Sequence, residues 1–346
     1  MSGHAALTRF VEARELLYLS TVDVRDLGVF DFAWAVDRIE QAYRAHYAGD
    51  TVMPKTEYLK YSGRSSYDRL IVLPGYLGGP FGASAVKLIG SSRTNGSLGF
   101  PRASGLLVLF DPETQRPFCI MEGAQVSAVR TAAVTALAIR LLAPTVITKL
   151  AMVGCGFLAE VHLRMWSSLY RHRIARVHAY DVSNEAILRL WAAAESLQLE
   201  LIRADSAEEA IREADVIIPA TTSDTPYIRA SWIRSGSSYF AVSLLDPELD
   251  VFLQADCIVV DDLDLCQQEG RPLDLLKRQG RSALRVVSIG SVVLERIQVR
   301  RKPEDRIVFN PMGTVITDVS LRLPRLRRRQ QLVREYGCPA DKVQDS

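Results

Sequence analysis

The chain has 346 residues, 48% of them hydrophobic and 24% charged, with a formal net charge of +2. This balance suits a globular protein with room for two domains, and it excludes a disordered chain or one built to seek polyanions. No apolar run approaches the ~18 residues that span a membrane. The first twenty residues include Arg9, Glu12, Arg14 and Glu15 and lack a signal-peptide core.

The first half reads as mixed helix and strand. Residues 32–47 alternate apolar and polar positions at helical spacing. Residues 69–73, 83–89, 104–110 and 118–122 read as strands joined by turns such as Asp111-Pro112-Glu113-Thr114. That pattern predicts an α+β domain with a largely antiparallel sheet. Residues 127–142, rich in Ala, Leu and Val, predict a helix leading onward.

The most informative stretch follows. An apolar run, residues 150–153, feeds Gly154-Cys155-Gly156-Phe157-Leu158-Ala159, a Gly-x-Gly-x-x-Ala turn, and residues 159–169 read as a helix. A second strand-like run, residues 177–180, ends in Asp181, 22 residues after Ala159. Strand, glycine turn, helix, strand and acid together form the dinucleotide fingerprint. Gly154 permits the tight turn, Gly156 lets the backbone approach a pyrophosphate, and Ala159 lets helix and strand pack closely. The pyrophosphate would rest on the helix N-terminus. Asp181 would accept hydrogen bonds from the ribose hydroxyls and repel a 2′-phosphate. No Arg or Lys follows in Val182-Ser183-Asn184, so the cofactor expected is NAD rather than NADP.

Beyond it, residues 207–214 predict a helix and 216–220 a buried parallel strand. Further strands are expected within 233–242, at 255–262 and around Val308. Alternating strands and helices predict a doubly wound parallel sheet. Residues 313–336 read as a helix returning to the first domain. The fold class expected is therefore α/β: a Rossmann dinucleotide-binding domain, 127–313, inserted into an α+β domain, 1–126 and 314–346.

Five cysteines (119, 155, 257, 266 and 338) and five histidines (4, 162, 172, 173 and 178) form no cluster with metal-ligand spacing. No metal is expected, and a reducing cytoplasm suits the scattered thiols. Cys155 reads as a small residue in the turn. Arg322, Arg325, Arg327, Arg328, Arg329 and Arg334 read as a solvated basic face, with no nucleic-acid partner expected.

Several segments together resemble the ornithine cyclodeaminase/μ-crystallin family over about residues 15–325. They are Ala85-Val86-Lys87, residues 106–114 with Pro117, Ser127-Ala128-Val129-Arg130-Thr131-Ala132-Ala133, the fingerprint, Asp246, and Asn310-Pro311-Met312-Gly313. The resemblance implies a homodimer whose α+β domain binds a small amino-acid substrate and dimerises. It also implies Lys87 and Arg130 as cations for the substrate carboxylate, with Lys55 adding a third. Arg130 can grip a carboxylate in bidentate fashion. Asp246, beyond the strand-like Phe240-Ala241-Val242-Ser243, is implied as the acid that accepts the amine proton or activates water. Lys87 is implied either to hold the carboxylate or to shuttle a proton. Thr131, Thr221, Ser243 and Asn310 are implied near the cofactor.

Within the family, the resemblance is strongest to a siderophore-associated branch. That branch oxidises N-(2-amino-2-carboxyethyl)-L-glutamate to 2,3-diaminopropionate and 2-oxoglutarate. The pieces are Lys87-Leu88-Ile89-Gly90-Ser91, Pro101-Arg102-Ala103-Ser104-Gly105, Val259-Val260-Asp261-Asp262 and Phe309-Asn310-Pro311-Met312-Gly313. Cyclodeaminases usually carry a Gly-Asp-x-Pro-Gly-Lys-like segment. Here it reads Leu244-Leu245-Asp246-Pro247-Glu248-Leu249, without the glycine-lysine pair. Arg102 would favour a substrate with several carboxylates and repel a distal amine. The alternatives are an ornithine or lysine cyclodeaminase that recycles NAD internally, an imine reductase or alanine dehydrogenase of the same fold, and a non-catalytic protein that binds NAD and a small ligand.

Overall fold

The computed structural model describes residues 16–65, 68–280 and 284–322. Arg325, Arg327, Arg328, Arg329 and Arg334 lie outside the described residues, as does most of the helix expected over 313–336. Within that stretch the described helix is Val315–Ser320. The chain divides into two compact units. One comprises Met1–Asp31, Thr51–Ser127 and Asp318–Ser346, and the other Phe32–Asp50 and Ala128–Thr317.

The first unit is built on one sheet. Its strands are β1 (Leu17–Leu19), β2 (Thr51–Val52), β3 (Glu57–Lys60), β4 (Arg69–Leu77), β5 (Ala83–Ser91), β6 (Ala103–Phe110) and β7 (Pro117–Glu122). Their order is β1-β7-β6-β5-β4-β2, with β3 also on β4. All pairs are antiparallel except β1 with β7. Side chains alternate between the faces. One face buries Leu19, Ala83, Ala85, Leu107, Leu109, Cys119 and Met121. Each of its buried Leu and Met side chains contributes about 1.5–3 kcal/mol. The other face leaves Tyr18, Leu70, Leu88 and Leu106 exposed.

The second unit is built on an eight-stranded sheet. Its strands are β8 (Ile147–Val153), β9 (Ile174–Tyr180), β10 (Leu201–Arg203), β11 (Val216–Pro219), β12 (Ser238–Phe240), β13 (Cys257–Val260), β14 (Val286–Ser288) and β15 (Ile307–Asn310). Every pair is parallel, in the order β10-β9-β8-β11-β12-β15-β13-β14. Strands covered on both faces read as continuous apolar runs; every residue of β11, β13 and β15 is buried. Strand order reverses between β8 and β11, so a ligand crevice is expected outside their carboxyl ends. Strand β14 was not anticipated from sequence, because three residues are too few to show a period.

The helix Phe32–Tyr47, expected with the N-terminal α+β part, groups with the second unit. It packs on Ile289–Glu295 and Phe157–Tyr170. Gly290 permits the approach: a Cβ there would stand 2.6 Å from Tyr47 Cβ. The helix Gly123–Leu142 starts earlier than 127, because the Glu122 carboxylate accepts from the N–H groups of Ala124 and Gln125 at its first turn. It is long and apolar enough to cross a membrane, yet most of it is buried in the core.

Candidate active site

Gly154 leaves β8 with φ +94°, a conformation that suits glycine. A Cβ there would lie 2.6 Å from the Ala220 carbonyl oxygen, so its missing side chain also lets the exits of β8 and β11 come together. Gly156 caps the helix Phe157–Tyr170 without a side-chain hydrogen bond, and a Cβ on it would meet nothing within 4 Å. The helix thus presents its first N–H groups at an open approach, as an anion requires. Ala159 is fully buried. Asp181, just past β9, accepts from Cys155 N at 2.7 Å and from Ser183 N at 2.8 Å. It therefore pins the glycine turn as well as standing where a ribose would be read. Burial and Asp181 push the Cys155 thiol up to about 12, which leaves it a small, inert residue of the turn.

Thr221 follows β11 and Ser243 follows β12, at the carboxyl ends of adjacent strands. Their hydroxyls donate to the two carboxylate oxygens of Asp246. Thr221 N also donates to Ser243 Oγ at 3.3 Å. The Asp246 carbonyl accepts from Tyr227 N and Ile228 N, both at 2.9 Å, which fixes the backbone of the segment. Asp246 is 0% exposed. Burial raises its carboxyl to about 6, opposed by hydrogen bonds from Thr221 and Tyr227. Such a group exchanges protons near neutral pH, as a general acid or base should. Thr221 and Ser243, expected at the cofactor, spend their hydroxyls on this carboxyl. Tyr227 was missed because it precedes Asp246 by a loop that carries no motif.

In the first unit, Lys87 lies mid-strand on β5 and is 3% exposed. Its Nζ stands 2.6 Å from Asp318 Oδ1 and 2.9 Å from Ser127 Oγ. Asp318 was not foreseen from sequence, being 231 positions away. Lys55 is exposed between β2 and β3, and Arg102 is exposed just before β6.

In the second unit, Arg130 is half-buried on the helix Gly123–Leu142. Its guanidinium packs on Gly313, whose φ is +80° and whose Cβ, if present, would lie 3.0 Å from Arg130 Nη1. The Gly313 backbone is held by Asp261, a buried carboxylate at the end of β13. It accepts from Met312 N at 2.8 Å and Gly313 N at 2.9 Å. Thr131 follows Arg130, and its carbonyl accepts from the Thr135 hydroxyl at 3.1 Å. Asn310 ends β15 at 1% exposure, and neither end of its side-chain amide finds a partner among the described residues. Buried amides are normally satisfied, so Asn310 is suited to an amide-bearing ligand such as a nicotinamide ring. With the open helix terminus and Asp181, the second unit fits NAD. Among the described residues no cluster of His, Cys, Asp and Glu could hold a metal.

The model of the ornithine cyclodeaminase/mu-crystallin family matches residues 15–323. The chain belongs to this family. It is 33% identical to the N-((2S)-2-amino-2-carboxyethyl)-L-glutamate dehydrogenase of Staphylococcus aureus (strain NCTC 8325 / PS 47), over 89% of this chain and 93% of that protein. Among solved structures it is similar to that of CmnK, at 31% identity and TM-score 0.80, covering 96% of this chain and all of the other. It is also similar to an archaeal alanine dehydrogenase dimer with bound NAD, at 25% identity and TM-score 0.79, covering 92% of this chain and 97% of the other.

Proposed function

We propose that the chain is an NAD-dependent dehydrogenase that oxidises N-(2-amino-2-carboxyethyl)-L-glutamate. The imine formed would be hydrolysed to 2,3-diaminopropionate and 2-oxoglutarate, feeding siderophore or peptide natural-product synthesis. The observation that carries this is the 33% identity to the S. aureus dehydrogenase along 89% of the chain. A buried carboxyl near pKa 6 in the unit that carries the dinucleotide turn supports it.

NAD, when bound, would supply a hydride acceptor for the carbon that bears the secondary amine. Gly154, Gly156, Asp181 and Asn310 would hold it, with Ala159 and Thr131 setting the helices around it. Asp246 takes the proton that the amine releases as the carbon–nitrogen double bond forms. It then assists water onto the imine carbon. Breaking the carbon–nitrogen bond leaves the primary amine of 2,3-diaminopropionate and the keto group of 2-oxoglutarate, with one water consumed. Thr221, Ser243 and Tyr227 orient the Asp246 carboxyl. Lys87, Arg130, Lys55 and Arg102 hold carboxylates. Such an enzyme needs no metal and no nucleic acid, and the cytoplasm would keep reduced the four cysteines buried among the described residues.

We also infer a homodimer. The exposed sheet face of the first unit, with Leu88 directly opposite Leu106 and Tyr18 and Leu70 further along, is the kind of apolar patch that a second copy covers. Mass spectrometry of a reaction with the proposed substrate tests the chemistry. Equal amounts of 2-oxoglutarate and 2,3-diaminopropionate are expected; proline or pipecolate from ornithine or lysine would overturn it.

A further inference from the structure

His162 is wholly buried in the second unit, on the helix Phe157–Tyr170 that follows the glycine turn. The amine oxidation makes no use of its imidazole. Nδ1 stands 2.7 Å from the carbonyl oxygen of Leu158, one helical turn back and inside the Gly-x-Gly-x-x-Ala sequence. Nε2 stands 3.1 Å from the hydroxyl of Thr135, on the helix Gly123–Leu142. The Trp166 ring packs edge-on against the imidazole, with 5.4 Å between centroids, which fixes its plane.

The donors and acceptors select one tautomer. A carbonyl oxygen only accepts, so Nδ1 carries the proton and Nε2 accepts from Thr135. Thr135 shares its single proton between two acceptors, Nε2 and the Thr131 carbonyl, both at 3.1 Å. Burial holds the imidazole down at about 4, so it stays neutral at working pH and the arrangement persists.

These contacts flank the end of the helix that faces an anion. The helix is capped by Gly156 with no side-chain hydrogen bond, which leaves its first N–H groups for a ligand. Asp181 anchors the turn ahead of those groups, at Cys155 N. His162 anchors it behind them, at the Leu158 carbonyl. Thr135 ties that second anchor to the helix that carries Arg130 and Thr131. The N–H groups are thus held in place without a cap of their own, and a preorganised site loses less binding energy to ordering.

We propose that His162, through Thr135, is a positioning residue for the pyrophosphate of NAD, holding the first turn of the helix Phe157–Tyr170 in register with the helix Gly123–Leu142. The inference rests on NAD binding and goes beyond the proposed reaction, so its test needs no amino-acid substrate.

Equilibrium dialysis of the full chain against NAD, ADP-ribose and adenosine tests it. Adenosine keeps the ribose that Asp181 would read and lacks the pyrophosphate. Thr135→Val keeps the shape and removes the hydroxyl. It should weaken NAD and ADP-ribose by roughly three- to tenfold, the scale of one lost hydrogen bond, and leave adenosine unchanged. Thr135→Ser should bind all three as the wild type does. His162→Asn, whose amide can donate to Leu158 but is too short to reach Thr135, should repeat the Thr135→Val pattern, and combining the two should add little. A role confined to stability would lower the melting midpoint without changing the ratio of NAD to adenosine affinity. That unchanged ratio in Thr135→Val, or in His162→Asn should Thr135→Val not fold, would overturn the proposal, as would a wild type that binds adenosine as tightly as ADP-ribose. If Thr135 governs NAD affinity while the wild type fails to oxidise the glutamate-derived substrate, the positioning role stands and the proposed reaction falls.

Discussion

Lys87 Nζ stands 2.6 Å from Asp318 Oδ1, with both side chains almost wholly buried. Removing one member leaves a charge stranded in a low-dielectric interior, which costs about 3–5 kcal/mol. Asp318→Asn should therefore lower the thermal midpoint markedly and depress turnover. A Lys87→Met, Asp318→Leu double variant should recover stability without recovering activity. Paired melting curves and NADH assays check both; an Asn variant as stable as wild type would mean that the pair is not the anchor of this site.

On the proposed mechanism Asp246 sets the pH dependence. With its carboxyl raised to about 6 and acting as base in the oxidation, kcat/KM should fall as the pH drops below about 6. Thr221→Val and Tyr227→Phe, which remove hydrogen bonds that hold the value down, should move that inflection upward. Asp246→Asn should cut turnover by roughly 10²–10⁴ while NAD still binds. The linkage to stability has a definite sign. A raised carboxyl contributes stability below the unfolded value of 3.8, and that contribution is lost as pH rises through about 6. The Asn variant should lack this slope in pH-resolved melts.

Asp181→Ala removes the bond that pins Cys155 N and, on the proposed reading, the acceptor for the ribose. NAD affinity should fall by about tenfold and its margin over NADP should narrow. Fluorescence titration with both nucleotides measures it; an unchanged preference would remove Asp181 from nucleotide selection.

Gly313→Ala places a methyl group 3.0 Å from Arg130 Nη1 on a left-handed backbone. The apparent KM for the amino-acid substrate should rise several-fold while the NAD dissociation constant stays put. A matching loss in both would mean general damage to the second unit rather than displacement of Arg130.

Leu88 and Leu106 are each 37% exposed and directly opposed on β5 and β6. Leu88→Glu combined with Leu106→Glu should convert a dimer to a monomer in light scattering after size exclusion. A variant still dimeric would move the interface elsewhere.

The parts of this molecule that are local in sequence were legible there. The glycine turn, its strand and its acid form one continuous segment, and β11 and β13 announce their burial by unbroken apolar runs. What sequence withholds is long-range pairing. Asp318 reaches Lys87 across 231 positions, and Asp261 holds Gly313 across 52. Thr221 and Ser243 were legible as polar strand ends, but which ligand they face depends on where Asp246 folds back. The pairing of Lys60 with Arg69 is equally hidden, because they become neighbours only through the register of β3 on β4. The placement of Phe32–Tyr47 with the second unit turns on Gly290, whose role no periodicity reveals.

The most direct measurement is absorbance at the NADH band when purified protein and NAD are mixed, separately, with N-(2-amino-2-carboxyethyl)-L-glutamate, ornithine, lysine and alanine. Stoichiometric NADH with the first compound alone, accompanied by 2-oxoglutarate, is the expected result. Ammonia release from ornithine or lysine with no net NADH would contradict it and make the chain a cyclodeaminase.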